Sequence, residues 1–74
     1  MLSDLVNAMQ IELNGKPHVI AAGSDLVQLI AALELTGKAV AVAVNRQVVP
    51  AQLWAGRLLV EADRVDVVRA IGGG

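Results

Sequence analysis

The run Ala39-Val40-Ala41-Val42-Ala43-Val44 constrains this chain most, because it places a β-branched residue at every second position. As a strand it puts three valines on one face and three alanines on the other. The valine face needs a cover, and one segment can supply it. Leu26, Leu29, Ile30 and Leu33 recur at i, i+3, i+4 and i+7, an apolar stripe along one side of a helix. Gly23-Ser24-Asp25 breaks the chain before that stripe. Ser24 is read as the N-cap, with Asp25 early and Lys38 late to suit the helix dipole and Gly37 as the left-handed C-terminal cap. A helix of about three turns is expected.

The flanking segments read as strands. Gln10-Ile11-Glu12-Leu13 alternates, Asn14-Gly15 supplies the two positive-φ residues of a type I′ turn, and Pro17 to Ala21 resumes the alternation. Pro17 is compatible with an edge strand. After the valine run, Asn45-Arg46-Gln47 reads as a hairpin loop and Val48-Val49 as a brief strand stopped by Pro50. Ala51 to Gly56 forms a turn carrying Trp54 inward, Leu58-Leu59-Val60 a short apolar piece, and Arg64 to Ala70 the last strand. The fold class expected is α+β, a mixed sheet of four to five strands with one main helix packed on one face. Residues 1–8 read as a disordered N-terminal extension, residues 9–71 as the domain, and residues 72–74 as a flexible glycine tail.

Composition removes several function classes. A chain of 74 residues holds one core at most, and with no Cys and a single His it can build neither a disulfide framework nor a Cys/His zinc site. The net charge is -1 and its six basic residues are scattered, so it lacks the field and the aromatic platforms of a nucleic-acid binder. The longest apolar run is far short of the roughly 20 residues that span a bilayer. Residues 1–8 lack the basic start and apolar stretch of a secretory signal. A soluble, cytoplasmic protein is the expectation.

The chemistry lies at the end of the sequence. Gly72-Gly73-Gly74 has no side chains to pack and loses the most entropy when ordered, so mobility is expected there. Extended, three residues cover on the order of 10 Å, enough to enter a narrow channel on a partner. The group delivered is the carboxylate of Gly74, ionised at neutral pH given a reference pKa of about 3.3–3.7. A carboxylate is a poor acyl donor, and conversion to an acyl adenylate would let a sulfur nucleophile displace AMP. No nucleophile-base pair, metal cluster or phosphate loop is recognisable, so an enzyme is the weakest reading.

From Met9 onward the chain resembles the ThiS family of sulfur carriers in thiamine biosynthesis, related to the small subunit of molybdopterin synthase and to ubiquitin-like proteins. The likeness is carried by Ile11-Glu12-Leu13-Asn14-Gly15, by Ala41-Val42-Ala43-Val44-Asn45 leading to Val48-Val49-Pro50, by Gln52-Leu53-Trp54, by Asp63-Arg64-Val65, and by Gly73-Gly74. The resemblance implies a β-grasp fold and a carrier that is not itself an enzyme. It implies that a ThiF-like enzyme uses ATP to adenylate Gly74, that a cysteine desulfurase persulfide supplies sulfur, and that a ThiG-like thiazole synthase takes it from the thiocarboxylate. Ile71, Gly72, Gly73 and Gly74 would then form the segment entering partner active sites, and the chain itself would bind no cofactor. Ala62 departs from the family's Gly-Asp turn, and a type I turn would tolerate it.

Other residues invite competing readings. His18 is expected at the surface without a role, and Trp54 is expected to anchor the core rather than to form an interface hot spot. Glu12, Glu61, Asp63 and Asp66 are read mainly as a solvated face. Val67 and Val68 must point to opposite sides of the sheet, leaving Val68, with Ala70 or nearby alanines, as a partner-binding surface beside the tail. The rival functions are a carrier serving molybdopterin or another thiolation pathway, and a ubiquitin-like tag or interaction module.

Overall fold

The computed structural model describes residues 7–69. The extension expected over residues 1–8 therefore falls largely outside the described residues, as do Ala70 and the glycine tail. Strand β1 (Ala8–Leu13) begins one residue before the domain start read from the sequence. It pairs antiparallel with β2 (Lys16–Ala21) from Ala8↔Ala21 to Leu13↔Lys16. The expected type I′ turn joins them, with φ of 51° at Asn14 and 84° at Gly15.

Helix α1 (Leu26–Ala32) has seven residues, about two turns rather than three. Its N-cap is Asp25, not Ser24. The Asp25 carboxylate accepts the Gln28 amide at 2.9 Å, and the Gln28 side chain accepts the Asp25 amide at 2.9 Å, a complete capping box. Ser24 instead donates its hydroxyl to the Ala21 carbonyl at 2.7 Å, closing the end of β2. The helix also ends earlier than Gly37. Glu34 takes the left-handed conformation at φ 60°, so that its amide reaches the Ala31 carbonyl and the Leu35 amide reaches the Ile30 carbonyl, each at 3.0 Å. This is a Schellman motif built without glycine. Gly37, at φ 82°, serves the next turn, which the Lys38 amide closes onto the Leu35 carbonyl.

Strand β3 (Val40–Val44) is followed by a two-residue loop, Asn45 at φ 51° and Arg46 at φ 72°, and by β4 (Gln47–Val48). Gln47 is thus in the strand rather than the loop, and the Val49 amide carries the contact on to the Val42 carbonyl. A 3-10 turn over Ala51–Leu53 follows Pro50, and β5 (Arg64–Arg69) completes the sheet. The strand order is β2-β1-β5-β3-β4. β5 lies in the middle, parallel to β1 and antiparallel to β3, with helix α1 on one face, the β-grasp arrangement.

The core lies where the valine run required it. Val42 and Val44 are buried with Val65, Ile11 and Met9 from the sheet, Leu26, Leu29 and Ile30 from the helix, and Leu59 from the loop before β5. Each such side chain contributes about 1.5–3 kcal/mol by leaving water. Leu33, Val40 and Val67 pack at its rim.

Candidate functional site

β5 is the element that leads to the glycine tail, and its surroundings are the candidate site. Each flank is fastened by an asparagine from a hairpin turn. On the β3 side, the Asn45 side chain accepts the Arg64 amide at 3.0 Å and donates to the Asp63 carboxylate at 3.0 Å. On the β1 side, the Asn14 side chain accepts the Val67 amide at 2.8 Å. In both turns the left-handed backbone that asparagine tolerates aims its side chain at the neighbouring strand.

Asp63 belongs to this scaffold and not to a solvated acidic face. It is only 6% exposed, and its second carboxylate oxygen accepts the Val60 amide at 2.9 Å. Its backbone carbonyl also accepts the Glu12 amide at 2.8 Å. The turn ahead of it holds Ala62 at φ 73°, with the Asp63 amide closing onto the Val60 carbonyl. A positive φ at the third position is a glycine-type turn, so the type I geometry expected there is not adopted. The Ala62 amide donates to the Gln10 carbonyl at 2.8 Å, and this tie holds the residue in the strained region.

The remaining acidic groups are engaged or dispersed. Glu61 accepts the Gln10 amide, and Glu12 stands 3.6 Å from Arg64 in an exposed ion pair of little energetic weight. Asp25 has its carboxyl held below the usual carboxylate range, first by the Gln28 amide and next by that of Gly56, which donates at 3.3 Å. That is a structural consequence of capping. His18 is half-buried, paired with Ile11 on the core side of the edge strand and not fully at the surface. Trp54 is half-buried against the core, its ring nitrogen donating to the Val49 carbonyl at 2.8 Å.

The face of the sheet away from the helix is different in character. Val68 is 62% exposed and pairs with Ala41, while Ala43 pairs with Asp66 on one side and Val48 on the other. Paired residues share a face, so Val68, Ala41, Ala43 and Val48 form an apolar strip beside Asp66. Val48, 75% exposed, escaped the sequence reading. The cue was the two-residue loop, whose register sets Val48 opposite Ala43 and hence on the alanine side. Of the other residues singled out from the sequence, Ala70, Ile71, Gly72, Gly73 and Gly74 lie outside the described residues. Among the described residues there is no pocket, no group of side chains placed to hold a metal ion, and no helix long and apolar enough to cross a membrane.

Comparison with known proteins gives a consistent answer. The sequence model of the ThiS family matches residues 5–74. The sulfur carrier protein ThiS of Escherichia coli is 32% identical over 66 residues, 89% of this chain and 100% of the relative. A thiazole synthase of Magnetococcus marinus is 41% identical over 66 residues, again 89% of this chain but only 20% of that protein. The crystal structure of the thiamine biosynthesis protein ThiS from Geobacter metallireducens superposes with a TM-score of 0.77 at 26% identity, covering 89% of this chain and 100% of that one.

Proposed function

This chain belongs to the ThiS family, and from that premise we propose that it is a sulfur carrier for thiazole formation in thiamine biosynthesis. The observation that supports this reading most is the extent of the family match, which runs through Gly72, Gly73 and Gly74. The similarity to a fifth of a thiazole synthase favours thiazole formation over other thiolation routes.

The chemistry belongs to the carboxyl group of Gly74. A carboxylate oxygen attacks the α-phosphorus of ATP on a ThiF-like enzyme, and pyrophosphate leaves. The outer sulfur of a persulfide derived from a cysteine desulfurase attacks the acyl carbon, and AMP leaves. A thiol then cleaves the acyl disulfide, being oxidised to a disulfide as the thiocarboxylate is released. A ThiG-like thiazole synthase accepts that sulfur. The chain supplies the acyl group and its presentation, and the partners supply catalysis and ATP.

Presentation divides into two tasks. Ile71 through Gly74 provide a segment slender enough for an enclosed active site. The strip of Val68, Ala41, Ala43 and Val48 provides apolar area for docking. Intact-mass measurement after incubation with ATP, activating enzyme and sulfur donor tests the reading. Exchange of one oxygen for sulfur at Gly74 is expected, whereas an adduct joined to a lysine would make the chain a tag.

A further inference from the structure

The geometry points to Asn14 as a positioning residue that sets the direction in which β5 leaves the domain. The ladder between β1 and β5 is short, with Glu12 opposite Arg64 and Leu13 opposite Val65. Its last backbone bond runs from the Asn14 amide to the Val65 carbonyl at 2.9 Å. Beyond that point β1 has turned away into β2, yet β5 continues to Arg69. On the opposite flank the β3 ladder accompanies it to the pair Val40↔Arg69. On the β1 flank the next outward amide, that of Val67, is met by the Asn14 side-chain oxygen at 2.8 Å. Among the described residues this is the final restraint on that side.

A strand tied along one flank only behaves as an edge and can twist or fray, whereas one tied on both keeps its course. The Asn14 bond is exposed, so water can replace it at small cost to overall stability. Its consequence is geometric. The covalent continuation of β5 is the segment that carries Gly74, and the fraction of molecules presenting it along a productive line scales the apparent affinity of any enzyme that must take it in. This inference rests on the carrier reading for its functional consequence, though not for its structural one.

Two variants separate the asparagine's roles. Asn14→Gly keeps the left-handed turn and removes the acceptor, while Asn14→Asp keeps both. In the free full chain, Asn14→Gly is expected to speed exchange of the Val67 amide about tenfold and to lower the backbone order parameters of Val68 and Arg69. In adenylation it is expected to raise KM for the carrier about threefold to tenfold with kcat retained. Asn14→Asp should restore all of these. Faster exchange with unchanged order parameters and unchanged KM would overturn the proposal. So would an Asp variant that restores exchange but not KM, because Asn14 would then touch the enzyme directly. A parent chain that accepts no sulfur would refute the carrier reading instead, and the order parameters would still decide the positioning role.

Discussion

The two faces of the sheet use the same residue types to opposite ends. On the helix side, Val42, Val44 and Val65 are at most 1% exposed beneath Leu26, Leu29 and Ile30. On the other side, Val68 and Val48 stand 62% and 75% exposed beside Ala41 and Ala43, with no described element packed over them. Among the described residues the buried core lies on one face, and the apolar strip proposed for docking lies on the other.

The contrast can be broken hardest from the covered side. Leu29→Ala, at the centre of the helix stripe, should cost about 2–5 kcal/mol, a large share of what a domain this size possesses. Chemical denaturation should register it as a drop in midpoint. Next is the fastening that holds β5 between the faces. Asp63→Ala removes the acceptor of two part-buried bonds, from the Asn45 side-chain amide and the Val60 N–H, and should cost about 1 kcal/mol by the same measurement.

The open side should respond in the reverse sense. Val68→Asp should leave the denaturation midpoint close to the parent's while lowering the efficiency of adenylation about tenfold, the effect of losing about 1.4 kcal/mol of docking energy. Steady-state kinetics with the activating enzyme measures it, and a parent-like rate would detach the strip from docking. A smaller, opposite change sharpens the account of the scaffold. Ala62→Gly relieves a positive φ and should stabilise by about 1 kcal/mol, visible as a higher melting temperature.

The smallest effect is one of pH. The Asp25 carboxyl titrates below its ordinary value because the Gln28 and Gly56 amides donate to the charged form. Its contribution is therefore present above the ordinary carboxylate range and lost as pH falls through the depressed value. Melting curves of parent and Asp25→Asn should differ slightly at neutral pH and converge in acid.

Much of this was legible in the residues. The Asn14-Gly15 turn, the valine alternation and the helix stripe carry local and global signals that agree, and each stands where its periodicity put it. Parity along β5 also put Val67 and Val68 on opposite faces, and the structure packs Val67 against the core and leaves Val68 exposed. What escaped the reading were places where hydrogen bonding, local or tertiary, overrides residue preference. Glu34, Arg46 and Ala62 occupy left-handed conformations that a sequence reader assigns to glycine, and each is held there by backbone pairing around it. The cap fell to Asp25 over Ser24 because Gln28 stands three residues on to complete the box, a pairing visible only once the helix start is fixed. Asn45 and Asp63 are 18 residues apart, and nothing local announces their bond. The motifs that carry the family likeness thus turn out, among the described residues, to be fastenings of the scaffold rather than reactive groups.

The claim on which the account turns is that Gly74 is the acyl carrier while the domain beneath it only presents it. Reconstituted thiazole synthesis with a chain lacking Gly74 addresses this most directly, read beside its melting curve. The account predicts an unchanged melting temperature and no thiazole product. Product formed at the parent's rate by the shortened chain would contradict it.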